Sequence, residues 1–399
     1  MRLPFFLATG VFLLQIISDI YLFYLAKRRS RRLFPQKFQL WETIFFLVYM
    51  LVFLLLPKRD NADGLLRVQM WMLFGYFTVY LPKILFIIFD LLASLPILFH
   101  RKRIRWVTTA GVVAAATLFG GMWWGALINR NRIQVNEVEI EIDRLPESFD
   151  GYRIAQLSDL HVGTFGTDTT FISRLTDRVN SLHPDLIVFT GDIVNRHSGE
   201  LTPFVKPLSR LSAKDGVISI LGNHDYGDYF NFPTPYHKEQ NMEWLMDLQI
   251  EMGWELLTNS TSFIYGDTPG DSIAIVGVEN WGAPPFPTHG NLTEAYPTPG
   301  DSVVKILLTH NPAHWIAEIA PADSMKMDLT LSGHTHAMQM EIMGASPAVW
   351  RYSTWAGRYD SADGRRPLYV NIGAGTVGIP MRLGATPEIT IITLKSRHK

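Results

Sequence analysis

Four long apolar stretches dominate the first third of the chain. They cover residues 3–26, 38–56, 70–99 and 106–128, and the last of them carries no charge. A helix that crosses a bilayer needs about 20 predominantly apolar residues. The pattern therefore predicts a four-helix transmembrane region within residues 1–132. The alternative, a helical core of a soluble domain, would leave these helices too little polar surface to face water.

After residue 132 the pattern changes to short apolar runs separated by polar clusters. Residues 136–142 alternate with a period of two, which predicts a strand with one solvated face. Short apolar runs predict six buried strands, at residues 152–157, 186–190, 217–221, 273–278, 304–308 and 329–332. Helical patterns lie between several of them, at residues 169–182, 203–211 and 239–252. We predict a layered α/β domain over residues 133–399.

The charge of the chain divides at the same boundary. Residues 1–132 carry 17 Lys and Arg against 5 Asp and Glu, whereas residues 133–399 carry 19 against 32. An acidic domain lacks the basic face that nucleic acids require, so no nucleic-acid partner is expected. The chain has no cysteine, which excludes a disulfide scaffold and a thiolate zinc site.

Basic residues in the short loops predict the orientation in the membrane. Six Lys and Arg lie in loop 27–37 and four in loop 100–105, against three in loop 57–69. Short basic loops stay in the cytoplasm. The large domain after Ile128 should then be extracytoplasmic, as in a multi-pass inner-membrane protein with a periplasmic domain. The opposite orientation, with this domain in the cytosol, is the alternative.

Three ionisable residues, Asp19, Lys83 and Asp90, lie at or within the predicted spans. Ionisable groups are costly in hydrocarbon and are often functional there. The alternative interpretation is that these side chains reach the interface or lie at helix ends.

Polar clusters directly follow five of the predicted strands. They are Ser158–His161, Gly191–Arg196, Gly222–Asp225, Thr309–Asn311 and Gly333–His336. Ligands of such sheets bind at the carboxyl ends of the strands. Imidazole, carboxylate and amide groups without thiolate suit Mn, Fe or Zn. Two such ions stabilise both the attacking and the leaving oxygen of a phosphoryl transfer, so the clusters favour a dinuclear site.

The order DxH, GD, GNHD, H and GHTH resembles the calcineurin-like metallophosphoesterase superfamily. Residues 145–163 (LPESFDGYRIAQLSDLHVG) and 371–394 (NIGAGTVGIPMRLGATPEITIITL) are similar to its membrane-linked bacterial branch. The resemblance implies a four-layer αββα sandwich with two divalent metal ions. The ligands it implies are Asp159, His161 and His336 for the first ion, Asn223, His310 and His334 for the second, and Asp192 for both.

The same resemblance assigns residues beside the metal ions. His224 would stay free of metal and donate a proton to the leaving oxygen or stabilise the transition state. Arg196 occupies the position of a phosphate-binding arginine in related phosphatases, although a solvated, unpaired arginine is the alternative. Asn195 replaces an aspartate that supports the histidine in those phosphatases. His224 would then lack a strong orienting partner unless the turn brings Asp225 back to it.

Two further segments depart from ordinary surface loops. Ala337 and Met338 follow the GHTH motif where the membrane-linked branch usually has two glycines. Residues 346–366 are rich in Trp, Tyr and Arg, and their aromatic side chains either contact lipid headgroups or cover the edge of the sandwich.

These observations lead to an expected function. The chain would be a membrane-anchored metal-dependent phosphoesterase that hydrolyses a phosphate mono- or diester by attack of a metal-bound hydroxide. Its anchor suggests a lipid-linked or envelope-derived substrate, such as a phospholipid. The alternative is a transporter or receptor whose phosphoesterase fold is a degenerate sensor. A complete set of metal ligands argues against that alternative.

Overall fold

The structure, a computed structural model, describes residues 5–29, 33–57, 63–282, 287–297, 302–321 and 325–397. The chain divides into two units, Met1–Ile128 with Gly378–Met381 and Asn129–Val377 with Arg382–Lys399. We call the first the helical unit and the second the α/β unit. Residues 3 and 4 of the first predicted span and residues 58–62 of the second loop lie outside the described residues.

Four apolar helices form the helical unit. They are α1 (Phe5–Arg29), α2 (Leu33–Leu55), α3 (Asp63–Ser94) and α4 (Arg105–Leu127), and each is long and apolar enough to cross a membrane. The predicted span 70–99 ends as a short 3₁₀ segment, Leu95–Phe99, because Pro96 disfavours continuation of the α-helix. The prediction of four apolar helices is confirmed.

Lys83 connects three helices of this unit. Its Nζ lies 2.8 Å from Asp19 Oδ1 and 2.6 Å from Glu42 Oε1, so α3 pairs with α1 and α2. The hydroxyl of Tyr80 donates to Asp19 Oδ2 at 2.8 Å. Asp19 is buried within the unit. Pairing offsets part of the cost of placing these charges in an apolar environment.

Asp90 is the centre of a second polar cluster in the helical unit. Its carboxylate is fully buried and accepts hydrogen bonds from Tyr21 (2.6 Å), Arg29 (2.8 Å) and Arg103. Asp19 and Asp90 are therefore buried among the helices, and Asp90 lies near the end of α3. They hold helices together through hydrogen bonds and ion pairs.

The α/β unit contains two six-stranded sheets. The strands are β1 (Gln134–Ile142), β2 (Arg153–Leu157), β3 (Leu186–Phe189), β4 (Val217–Ser219), β5 (Glu255–Leu256), β6 (Ser260–Tyr265), β7 (Ser272–Gly277), β8 (Val304–Leu308), β9 (Leu329–Ser332), β10 (Gly357–Tyr359), β11 (Leu368–Val370) and β12 (Glu388–Ser396). The strand orders are β1-β12-β2-β3-β4-β5 and β10-β11-β9-β8-β7-β6. Strands β2 to β5 are parallel to one another, as are β7, β8, β9 and β11.

Alternation along the strands builds three apolar layers. In β3, Leu186 and Val188 face the core between the sheets, whereas Ile187 and Phe189 face a core that includes residues of the helices. Those helices are α5 (Thr170–Asn180), α6 (Val205–Leu208) and α7 (Pro235–Glu251). The second sheet carries the helix α8 (Leu292–Ala295) and a π-helical turn on its other face. Sheets flanked by helices on both sides confirm the predicted four-layer αββα sandwich.

The structure also differs from the predicted elements. Strands β5, β6, β10, β11 and β12 were not predicted, because they are short or rich in Ser and Thr. The predicted helix 203–211 contains only one α-helical turn, Val205–Leu208, and proline occurs at residues 203 and 207. Helix α7 begins before residue 239, since Thr234 caps it by accepting a hydrogen bond from the His237 amide.

Candidate metal centre

The candidate ligands come from the carboxyl ends of five parallel strands in two sheets. Asp159 and His161 follow β2, Asp192 follows β3 and Asn223 follows β4. In the other sheet, His310 follows β8, and both His334 and His336 follow β9. The inner faces of the two sheets share one apolar core. This packing brings residues that are up to 177 positions apart in sequence into one buried cluster.

The first group of ligand atoms belongs to Asp159, His161 and His336. All three side chains are buried, and their ligand atoms lie within 4.8 Å of one another. Nε2 of His161 is 3.0 Å from Nε2 of His336, and Asp159 Oδ1 is 3.2 Å from the same His336 nitrogen. The ligand atoms therefore converge on one point.

The second group belongs to Asp192, His310 and His334. Asp192 Oδ2 is 3.2 Å from His310 Nε2, and His334 Nδ1 is also 3.2 Å from that nitrogen. Asp192 Oδ2 lies 3.5 Å from His161 Nε2, which belongs to the first group. One carboxylate oxygen of Asp192 therefore lies next to both groups.

The donor set fits two divalent cations. Asn223 Oδ1 and Asp159 Oδ1 are buried and lack a well-oriented hydrogen-bond donor among the described residues. Buried polar atoms are normally satisfied, so these two oxygens call for a ligand. Two pairs of imidazole nitrogens also lie only 3.0–3.2 Å apart, one between His161 and His336 and the other between His310 and His334. A divalent cation bound by both nitrogens of a pair would explain this proximity.

Backbone conformation at the site is unusual. Asp159, His161, Asp192, His334 and His336 all have positive φ angles, between 45° and 76°. Residues other than glycine rarely adopt this left-handed region, and such strain clusters at functional sites. Five of the seven candidate ligands share it, which supports a functional rather than a structural role for the cluster.

Two motif glycines leave room for the carboxylates. A Cβ atom on Gly222 would overlap Asp192 Oδ1, and one on Gly333 would overlap Ser158 Oγ and Asp159 Oδ2. The glycines of GNHD and GHTH are therefore required by close approach.

Hydrogen bonds orient the imidazole rings. Nδ1 of His161 donates to the Val194 carbonyl at 3.2 Å, and Nδ1 of His310 donates to the Thr190 carbonyl at 2.8 Å. In each ring Nε2 then faces the cluster, as in metal-binding histidines.

His336 has a different partner, Arg382. Nη2 of this fully buried arginine lies 3.1 Å from His336 Nδ1. The guanidinium also donates to the carbonyls of Gly375, Ala385 and Ile372. Burial lowers the pKa of Arg382 to about 10, so the side chain remains a cation at neutral pH.

Electrostatics keep two of the histidines neutral. Burial, together with the charge of His310, lowers the pKa of His334 to about 3, and burial lowers that of His161 well below its usual range. Neutral imidazole is the form that binds divalent metals. At His310, burial lowers the pKa, but the Asp192 and Asp159 carboxylates and the hydrogen bond to the Thr190 carbonyl together outweigh it and raise the pKa to about 10. A bound cation would have to replace that proton.

The structure gives His224 an orienting partner that the sequence did not reveal. Its Nδ1 donates to the backbone carbonyl of Asn195 at 2.7 Å, and the Tyr229 ring stacks on it at 4.1 Å. The Asn195 side chain instead contacts Thr164. The expectation that His224 would lack an orienting group is corrected, because a main-chain carbonyl replaces the expected carboxylate.

Asp225 does not return to His224. Its buried carboxylate accepts four backbone N–H hydrogen bonds, from Asp192, Ile193, Val194 and Gly222, at 2.8–3.2 Å. Burial and the nearby Asp192 carboxylate raise its pKa to about 7. Asp225 therefore fixes the two loops that carry Asp192 and Asn223, and the conditional expectation that it orients His224 is wrong.

Arg196 is neither solvated nor unpaired. The side chain is buried, its Nε lies 3.2 Å from Glu200 Oε1, and its guanidinium lies 5.7 Å from the Phe230 ring centroid. The solvated alternative is excluded, and a contact with substrate phosphate stays a prediction.

Comparisons with known proteins agree with this geometry. The model of the calcineurin-like phosphoesterase family matches residues 152–338. A second model, described as a probable calcineurin-like phosphoesterase transmembrane domain, matches residues 1–130. The chain belongs to the calcineurin-like phosphoesterase family. It is a membrane protein and a hydrolase of that family, and we now call its α/β unit the phosphoesterase unit.

Three relatives show the range of this family. An uncharacterized metallophosphoesterase of Bacillus subtilis, YkuE, is 29% identical over 75% of this chain and 98% of its own length. A transmembrane protein with a metallophosphoesterase domain from Danio rerio is 32% identical, over 66% of this chain and 57% of that protein. The UDP-2,3-diacylglucosamine pyrophosphatase LpxG of Chlamydia muridarum is 26% identical, over 72% of this chain and 96% of its own length.

The sequence analysis did not identify several residues that lie at the candidate metal centre. Arg382 lies in the quoted tail motif without an assigned role, and its proximity to His336 depends on tertiary packing. Tyr229 and Tyr352 lie in loops whose path the sequence does not predict. Tyr352 OH is 3.5 Å from His334 Nε2.

Proposed function

We propose that this protein is a membrane-anchored, dinuclear metal-dependent phosphoesterase that hydrolyses a lipid-linked or envelope-derived phosphate mono- or diester. The position of Asp192 carries the proposal. Its Oδ2 lies within 3.5 Å of a histidine nitrogen from each ligand group. A carboxylate shared in this way suits a bridge between two cations.

The two groups supply six of the proposed ligands, and Asn223, whose buried Oδ1 has no hydrogen-bond donor among the described residues, is the seventh. Asp159, His161 and His336 would hold one ion, and Asn223, His310 and His334 the other, with Asp192 shared. Two bound cations would supply charge stabilisation for the attacking and leaving oxygens of the phosphoryl group and lower the pKa of a bound water.

His224 would act on the substrate without binding metal. Its Nδ1 is held by the Asn195 carbonyl, which leaves Nε2 as the nitrogen for a substrate oxygen. The backbone N–H of His224 donates to Asp192 Oδ1 at 2.8 Å. The ring is thus fixed beside the shared carboxylate, where it can donate a proton to the leaving oxygen.

Two observations favour a lipid-linked substrate in the periplasm. The helical unit anchors the chain in a membrane, and the relative LpxG is named for a diacylated sugar nucleotide. The basic loops 27–37 and 100–105 favour a phosphoesterase unit outside the cytoplasm, in the inner membrane of a bacterial envelope.

Hydrolysis of generic esters tests the activity. Full-length protein in detergent with Mn²⁺ should hydrolyse nitrophenyl phosphate or bis-nitrophenyl phosphate. Asp192→Asn should reduce turnover by more than about a hundredfold, since even partners of metal ligands contribute 10–100-fold. As a matched control, Asp267→Asn alters an exposed carboxylate that pairs with Lys214, and its turnover should equal that of the wild type.

Two outcomes contradict the proposal. If the wild-type protein hydrolyses neither ester with Mn, Fe or Zn, it is not a phosphoesterase that acts on these substrates. Full turnover by Asp192→Asn would show that the reaction does not use the shared carboxylate.

A further inference from the structure

The segment that follows the GHTH motif exposes an unusual number of large apolar side chains. We call residues 338–350 the apolar loop. It exposes five of them, Met338, Ile342, Met343, Val349 and Trp350. The Met343 side chain is fully exposed and Trp350 is 88% exposed. Clustered apolar exposure of this kind marks an interaction surface.

The fold of the loop holds these side chains outward. Ile342 and Ala345 exchange two backbone hydrogen bonds, of 2.9 and 3.0 Å, and so close a tight turn with Met343 in it. Ser346 Oγ donates to the Ala337 carbonyl at 2.7 Å, while Ala348 is buried. The loop is therefore anchored at Ser346 and Ala348, while the five large apolar side chains named above face solvent.

The chemistry of the loop suits a bilayer surface. Between residues 338 and 350 the only charged residue is Glu341, and Arg351 follows Trp350 directly. Tryptophan beside arginine is typical of segments that lie in the headgroup region of a membrane.

The same chain contains helices that are suited to a bilayer. Four apolar helices precede the phosphoesterase unit, and only six residues separate the end of α4 from the start of β1. The same chain therefore carries helices suited to a bilayer, which makes a lipid surface the partner to which we assign the apolar loop.

The apolar loop borders the candidate metal centre. It begins two residues after His336, and Tyr352, just past its end, has its hydroxyl 3.5 Å from His334 Nε2. Thr335 Oγ1 donates to the Trp355 carbonyl at 2.6 Å, which ties the far side of the loop to the same motif.

We propose that the apolar loop inserts into the membrane surface and so brings the metal centre to phosphoesters at the headgroup level. The membrane docking is inferred from the exposed side chains alone. The substrate class, a phosphoester at the headgroup level, rests on the function proposed above.

Fluorescence quenching tests the docking. The chain has no cysteine, so Met343→Cys gives a single site for an environment-sensitive nitrobenzoxadiazole label. Full-length protein is placed in nanodiscs of phosphatidylethanolamine and phosphatidylglycerol, with or without doxyl-labelled lipid. The label at residue 343 should lose most of its emission to doxyl lipid and little to aqueous iodide. Trp350→Cys provides a second label that should behave in the same way.

Tyr265→Cys is the matched control, because Tyr265 is a large, highly exposed residue on β6. Its label should be quenched by iodide and not by doxyl lipid. Iodide quenching at residue 343 equal to that at residue 265 would overturn the proposal. Protection of residue 343 from both quenchers would also overturn it, since the loop would then be covered by protein, such as a second copy of the chain.

A separate readout distinguishes this proposal from the proposed function. The double variant Met343→Glu with Trp350→Glu should no longer contact lipid. In a protein that also carries a label at Val349→Cys, doxyl lipid should then no longer quench the label. The turnover of soluble nitrophenyl esters should stay at the wild-type level. Wild-type protein that shows lipid quenching without ester turnover would retain the docking and lose the function. Ester turnover without lipid quenching would support the proposed function and overturn the docking.

Discussion

The residue types of the candidate metal centre could be proposed from the sequence, but the orientation of their side chains could not. Asp159 and His310 could be named because acids and imidazoles follow buried strands. The sequence could not show that His224 is oriented by a main-chain carbonyl, since every residue has one. Nor could it show that Arg382 contacts His336, because 46 positions and a separate loop divide them.

The turn after GHTH has a strained backbone at two positions where glycine was expected. Ala337 and Met338 occupy the positions at which glycines were expected, and both adopt left-handed backbone, with φ of 50° and 48°. An L-residue in this region costs roughly 1–2 kcal/mol. The absence of the two expected glycines marks this turn in the sequence, and the structure shows that its consequence is a strained backbone.

Met338→Gly should therefore stabilise the protein. Removing the left-handed strain should raise the free energy of unfolding by about 1 kcal/mol, after the entropic cost of glycine. The thermal midpoint of full-length protein in detergent should rise. Val349→Gly is the control, since Val349 is exposed in the same loop without a positive φ, and it should lower the midpoint. Equal decreases for both variants would contradict the strain argument.

Elements with strong periodicity were predicted well, and weak ones were missed. Strand β3 is fully buried and is a continuous apolar run, and β8 is fully buried and apolar except for Lys305. Strand β12 alternates Ile with Thr, and it inserts between β1 and β2 from the end of the chain. That pairing is long-range and depends on the register with both neighbours, which no local pattern encodes.

The four apolar helices make a testable prediction about orientation. Ten Lys and Arg lie in the loops assigned to the cytoplasm, against six in the segments assigned outside, and basic loops resist translocation. Alkaline phosphatase fused after Lys399 should be active, and the same reporter fused at Ser30 should be inactive. Beta-galactosidase fusions at both sites serve as the reciprocal control. The opposite pattern would place the phosphoesterase unit in the cytosol and favour soluble nucleotides as substrates.

At the scale of the whole molecule, the charge split anticipated two environments. A basic apolar region precedes an acidic unit, and the structure has four apolar helices followed by a two-sheet sandwich. The sequence could not show how two sheets combine their strand ends into one centre. The shared core between the sheets does this, so the candidate metal centre depends on the complete unit rather than on any single motif.

The metal content of the full-length protein tests this account most directly. Protein purified in detergent, incubated with Mn²⁺ and freed of excess metal should hold two ions per chain by elemental mass spectrometry. Asp192→Asn should hold fewer, because one carboxylate oxygen lies next to both ligand groups, while the exposed-site variant Asp267→Asn should keep two. Wild-type protein that binds no metal, or Asp192→Asn that still binds two ions, would contradict the dinuclear centre.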